Sequence, residues 1–252
     1  MTEKEYSTFS KLYIILVVVI AVIYLGCIFF GKQIFAKVAL ILSVLVFLVS
    51  GIFPYRYFTE RELKKVYFNL IIAASFLLAS ELVYFLTYIH PEFYFFILIT
   101  MGILQVFFYM FFAFCIALFI NFWVVPLERR AIIGRVYLAS FTLLIFFLIF
   151  NTYLYIVNGK LVFGEPIIYA VASSLDAFFI PLLTYTFHIF RKSIFELSWT
   201  LVLAGIIMEF LGNFGHNLAL IYSLPIPFVR LLEVLRIGGY LIAGYGFIRQ
   251  IF

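Results

Sequence analysis

Apolar residues fill this chain in long unbroken blocks, and polar residues are confined to short gaps between them. A stretch such as Leu12–Phe30 (LYIILVVVIAVIYLGCIFF) shows neither the alternation of a half-buried strand nor the single polar stripe of a surface helix. A helix needs about 20 apolar residues to cross a bilayer. A transmembrane barrel strand would alternate apolar and polar positions over about 10. Continuous blocks therefore predict helices, whose backbone groups are satisfied within each segment.

Eight blocks follow: Leu12–Phe30, Ile34–Phe53, Val66–Ile89, Phe93–Val125, Val136–Val157, Ile167–Phe190, Trp199–Ile221 and Leu231–Ile248. The expected fold is an all-α polytopic helical membrane bundle with eight transmembrane helices, forming one integral membrane domain over 1–252. Gaps such as Gly31-Lys32-Gln33, His90-Pro91-Glu92, Asn158-Gly159-Lys160 and Ser223-Leu224-Pro225 are short. Short connections predict that consecutive helices are antiparallel neighbours. The fourth block is longer than one crossing requires, so it tilts or leaves the membrane near Asn121 and Pro126. Pro181 is placed to kink the sixth helix. The eighth block is the most polar, carrying Glu233 and Arg236. Without it the alternative is seven spans and an interfacial helix. In the loop after the second block, Thr59 and Glu62 have the spacing of a capped helix start.

Composition strengthens the membrane reading, with 67% hydrophobic residues and only 12% charged ones. The net charge of +5 does not point to nucleic acid, because the basic residues flank apolar blocks. With the N-terminus in the cytoplasm, twelve of the 17 Lys and Arg residues fall on the inner side and five outside, Lys32, Lys37, Lys160, Arg230 and Arg236 among the latter. This bias predicts an integral protein of the cytoplasmic (plasma) membrane with both termini cytoplasmic. Trp123 and Trp199 fall at the inner interface, where indole rings prefer to lie. Cys27 and Cys115 lie toward opposite faces, beyond the reach of a disulfide, and read as buried small hydrophobes.

Ionisable groups inside a bilayer each cost about 2.5–3.5 kcal/mol on insertion scales, so every one needs an explanation. Glu209, Asn213 and His216 in the seventh block are spaced i, i+4, i+7. At 100° per residue they fall within about 60° on one helix face. Gly205 and Gly212 lie beside that line and permit close helix approach. Asp176 in the sixth block, sharing a broad face with Ser173 and Thr184, and Glu81 in the third, beside Ser80, are further central acids. Such acids carry a proton or pair with a cation. Arg236 is the candidate counter-ion. It either completes a ladder with Arg230 and Glu233 within the last helix or reaches inward to Glu209, Asp176 or an anionic ligand. Gln105, Asn151 and Tyr185 are further candidate lining. His90, His188 and His216 cannot easily converge, so no metal or other cofactor is expected.

The last block, from Leu231 to Arg249, contains Arg236-Ile237-Gly238-Gly239-Tyr240 followed by Tyr245-Gly246. It resembles the closing helix of the seven- or eight-span sensory modules of prokaryotic signalling proteins. The resemblance implies ligand sensing inside the bundle and output through a partner protein. The leading expectation is a non-enzymatic membrane module that binds a small or lipidic ligand, with the lipid bilayer as its surroundings. A small transporter or channel using the central carboxylates for protons or cations is the alternative. An intramembrane lipid-modifying enzyme ranks third, because no nucleophile–base pair is visible.

Overall fold

The computed structural model describes residues 3–123, 128–159, 165–193 and 195–251. Pro126 and Lys160 lie outside the described residues, as do the side chains of Lys4, Trp123, Arg129 and Arg130. Eight α-helices are described: α1 (Glu3–Phe30), α2 (Gln33–Tyr57), α3 (Arg61–Phe85), α4 (Tyr94–Trp123), α5 (Glu128–Val157), α6 (Glu165–Phe190), α7 (Glu196–Tyr222) and α8 (Ile226–Ile248). Short 3-10 turns cover Leu86–Tyr88, Pro91–Phe93 and Arg249–Ile251. No strand occurs among the described residues. Seven of the helices are long and apolar enough to cross a membrane. Large apolar side chains point outward, Phe29 of α1 at 79% exposure and Leu138 of α5 at 68%. In water such faces would be untenable over this area; in a bilayer they meet lipid.

Six helices close into a ring in the order α2, α3, α4, α6, α7, α8 and back to α2. α1 packs outside it on α2, and α5 packs outside it on α6. The seam between α4 and α6 is the loosest in the ring. α4 and α5 follow one another in sequence without packing as a pair among the described residues, which corrects the expectation that every consecutive pair is adjacent. Polar groups explain the exception, because in an apolar solvent side-chain hydrogen bonds help choose helix partners. Tyr109 of α4 bonds to α6, and Asn151 and Tyr155 of α5 bond to α6 and α7.

α8 carries three ionisable residues, Arg230, Glu233 and Arg236, so composition alone does not mark it as a span. It packs alongside helices that qualify as spans. The Tyr24 hydroxyl of α1 donates to the Arg230 carbonyl, and the Tyr13 hydroxyl donates to the Leu241 carbonyl. α8 therefore runs antiparallel to α1 between Arg230 and Leu241. It meets α7 even more closely. A Cβ built on Gly205 would lie 2.5 Å from the Gly239 carbonyl oxygen, so only glycine allows the two backbones this approach.

Several local expectations change. Thr59 does not cap a helix: α3 starts at Arg61 after Glu60, with no side-chain cap. Glu62 instead pairs with Lys65 at 2.7 Å, both exposed. Pro181 lies inside α6, where a kink is compatible with a continuous helix, and Asn121 lies near the end of α4, close to the expected exit from the membrane. Trp199 does not face the membrane interface. It is buried against Phe119, Phe190 and Phe247, with ring centroids at 4.5, 5.9 and 6.2 Å. The inward face of α7 begins this close to its start, so ring packing outweighs the interfacial preference. Cys27 and Cys115 are both buried and free.

Candidate functional site

The three central acids meet in one buried network that links all six helices of the ring. Glu81 of α3 accepts from two cations: Lys37 Nζ of α2 lies 2.9 Å from Oε2, and Arg236 Nη2 of α8 lies 3.1 Å from Oε1. Arg236 Nε also lies 3.5 Å from Glu209 Oε1 of α7. That same oxygen accepts from the Tyr240 hydroxyl at 2.6 Å and from Asn213 Nδ2 at 3.2 Å. Asn213 Nδ2 donates further to Asp176 Oδ2 of α6 at 2.7 Å. The Tyr109 hydroxyl of α4 lies 2.9 Å from Asp176 Oδ1 and 3.2 Å from the Ala172 carbonyl oxygen. Glu81, Asp176, Glu209, Asn213, Arg236 and Tyr240 are all at most 5% exposed.

The helices position these groups through ordinary periodicity. Glu209 and Asn213 are one turn apart on α7, and Arg236 and Tyr240 are one turn apart on α8, so two turns face two turns across the glycine contact. Gly212 makes room for the arginine: a Cβ there would lie 2.4 Å from Arg236 Cγ. Lys37 sits one turn into α2 and its ammonium lies 4.0 Å from the Tyr84 ring centroid, a cation–π contact that steadies the charge inside the protein.

Other predicted residues fall elsewhere. His216 does not bond to the acids; its Nδ1 lies 3.0 Å from the Gly212 carbonyl, and its ring stacks on Tyr169 at 5.2 Å. Tyr169 in turn lies 5.8 Å from the Arg236 guanidinium, so His216 is one layer out from the network. Ser173 belongs to a second polar cluster. Asn151 Nδ2 lies 3.3 Å from Ser173 Oγ, Ser174 Oγ and the Ala170 carbonyl; its Oδ1 accepts from Asn217 at 2.6 Å, and Asn217 accepts from Tyr155. Thr184 is exposed and bonds to the Ile180 carbonyl of its own helix, so it does not join Asp176 in the buried network. Ser80 is buried and reaches the Met101 carbonyl at 3.4 Å. His188 is exposed and Tyr185 is half-buried, both away from the network. No ion pair joins Glu233 to Arg230 or Arg236 among the described residues, so the ladder within α8 is replaced by the inward bonds of Arg236.

Two spaces adjoin the network. A closed space of about 10 Å³ is lined by Tyr109, Asp176, Glu209 and Tyr240, with Phe47, Phe112 and Phe179 closing it. It is close to the minimum that holds one water molecule. A larger cleft of about 190 Å³ opens at the α4–α6 seam, lined by Gln105, Val106, Tyr109, Ile168, Val171, Ala172 and Leu175. Gln105 thus lies in the cleft, and Tyr109 stands between the cleft and Asp176. No group of three or more His, Cys, Asp or Glu side chains that could hold a metal ion occurs among the described residues. Comparison with protein-family models, with curated proteins and with solved structures finds no match.

Proposed function

We propose that this chain is a non-enzymatic membrane module that takes a small ligand, with an apolar body and one polar group, into the cleft between α4 and α6. The observation that carries this reading is the cleft of about 190 Å³ at the loosest seam of the ring, apolar except for Gln105 and Tyr109. Binding sites for small molecules combine apolar lining with a few placed polar groups. Here one of those groups also touches the buried acids, so occupancy of the cleft is felt by the network through Tyr109. The charge bias of the loops supports a cytoplasmic membrane with both termini inside. A sensing role with output through a partner protein rests on the last helix alone.

Thermal unfolding in detergent with a series of medium-chain alcohols and amides tests the reading. A ligand that binds the folded state stabilises it by RT ln(1 + [L]/Kd), about 2.7 kcal/mol at a hundredfold excess over Kd. A chain-length optimum is expected, and Gln105→Leu is expected to weaken the response at least tenfold without lowering basal stability. A response that grows monotonically with chain length and ignores Gln105→Leu would mean partition into the micelle and refute the cleft.

A second reading, proton- or cation-coupled transport, is favoured by the three carboxyls in one network. It requires flux in liposomes that Glu209→Gln abolishes; a binding module gives none.

A further inference from the structure

We propose that Asp176 holds a buried proton, hydrogen-bonded to Tyr109, and that the free oxygen of Glu209 takes one water molecule in the closed space beside it. This proposal does not depend on what occupies the α4–α6 cleft.

The argument starts from hydrogen-bond accounting. A tyrosine hydroxyl has one proton to give. Tyr109 has two acceptors within range, Asp176 Oδ1 at 2.9 Å and the Ala172 carbonyl oxygen at 3.2 Å. If Asp176 is ionised, one of these contacts holds no proton. If Asp176 carries a proton on Oδ1, it donates to Tyr109 Oη, and Tyr109 donates to the Ala172 carbonyl. Oδ2 still accepts from Asn213. Every polar atom of the group is then satisfied, as buried groups require.

Charge leads to the same assignment. Lys37 and Arg236 are the cations in the network, and Glu81, Glu209 and Asp176 are the acids. Both cations bond to Glu81, and Arg236 also bonds to Glu209. Two charges of each sign therefore close on one another. Asp176 is the member with no cation in contact, and a lone buried charge is the most expensive arrangement available. The groups facing it are Tyr109 from α4, Asn213 and Glu209 from α7, and beyond Glu209 the side chains of Arg236 and Tyr240 from α8. None is a cation bonded to Asp176. Arg230 and Glu233, nearer the start of α8, add one charge of each sign and leave the balance unchanged.

Glu209 supplies the second observation. Its Oε1 accepts three hydrogen bonds, whereas its buried Oε2 has no partner among the described residues. The residue is 4% exposed and lines the closed space of about 10 Å³ together with Asp176. Four of the residues that line it, Tyr109, Asp176, Glu209 and Tyr240, carry a polar group, and the rest of the wall is apolar. A metal cation fits poorly, because Tyr240, Asn213 and Arg236 turn donors, not lone pairs, toward Glu209. The site is thus suited to a proton and a water.

Infrared spectroscopy of the purified full chain in lipid nanodiscs at neutral pH tests this. One carboxylic-acid C=O band per chain is expected, shifted on exchange into D₂O and lost entirely in Asp176→Asn. Tyr109→Phe removes the acceptor of the acid proton and is expected to move the band to higher frequency. Asp176→Asn is also expected to keep its melting temperature near that of the wild type, because a neutral amide replaces a neutral acid. Absence of an acid band in the wild type overturns the proposal, as does a band unchanged in Asp176→Asn. If Asp176→Asn does not fold, the wild-type band and its shift in Tyr109→Phe decide the matter.

Discussion

Glu81→Gln is expected to destabilise the protein by about 3–5 kcal/mol, the range for breaking a buried ion pair from one side. The carboxylate is 1% exposed and each of its oxygens holds a different cation, Lys37 at 2.9 Å and Arg236 at 3.1 Å. The amide keeps the shape and can still accept one hydrogen bond, but it removes the charge. Glu209 is then the carboxylate left in contact with a cation, Arg236, at 3.5 Å. Lys37 is left inside the protein without the carboxylate it contacts. The double change Lys37→Met with Glu81→Gln removes one charge of each sign and leaves the Arg236–Glu209 pair intact. It is therefore expected to recover at least 1 kcal/mol relative to Glu81→Gln alone, a coupling of the size found between residues in contact. Thermal unfolding of the four proteins in one detergent measures the cycle. A single change within about 0.5 kcal/mol of wild type would show that Glu81 is not the hub of the network.

The parts of this arrangement that the sequence reveals are those with a local signature. Helix number and approximate limits follow from block length, because in hydrocarbon the backbone has few other solutions. Glu209 and Asn213 are visible as a polar line on one helix face, and Asp176 and Glu81 stand out as acids flanked by apolar residues. Arg236 is visible as a charge in the last helix, but its direction is not. Both the ladder with Glu233 and the inward reach satisfy the helical spacing, and only the position of α3 and α7 decides between them. Lys37 escapes notice because it sits near a helix end, where a lysine ordinarily serves topology. Its long stem instead carries the ammonium back into the bundle. Tyr109 carries no signal at all among 18 tyrosines, and Tyr240 appears only as part of the last helix's motif, with no hint of a bond to an acid; their roles exist only in the approach of α4 to α6 and of α8 to α7. Ser173 and Asp176 share one helix face in sequence, yet Ser173 meets α5 while Asp176 meets α4 and α7. A face of a helix inside a bundle serves several neighbours, and spacing along the chain cannot divide it among them.

The largest loss is expected from Gly205→Val. A Cβ at this position would lie 2.5 Å from the Gly239 carbonyl oxygen and 2.7 Å from the Ala243 nitrogen and Cβ. Two of these atoms are backbone, so no side-chain rotation relieves the clash, and α7 and α8 must separate. Inserting atoms into a packed core commonly costs about 1–3 kcal/mol. Here the cost is expected to exceed that range, because separation also pulls Arg236 and Tyr240 of α8 away from Glu209 of α7, leaving buried charge unpaired. The glycines that make the contact recur on both helices with the same spacing, Gly205 and Gly212 on α7 and Gly239 and Gly246 on α8. In antiparallel register Gly205 meets Gly239, Gly212 meets Leu232 and Arg236, and Gly246 meets Ser198. The expected result is little or no monodisperse protein after extraction, at expression conditions that yield wild type. Gly134→Ala in α5 is the matched control. A Cβ there meets nothing within 4 Å, and removing a helical glycine stabilises by roughly 0.5–1 kcal/mol. If Gly205→Val folds as well as Gly134→Ala, the two helices are not in backbone contact. The facing of Glu209 and Arg236, on which the charge balance of the bundle depends, would then need another support.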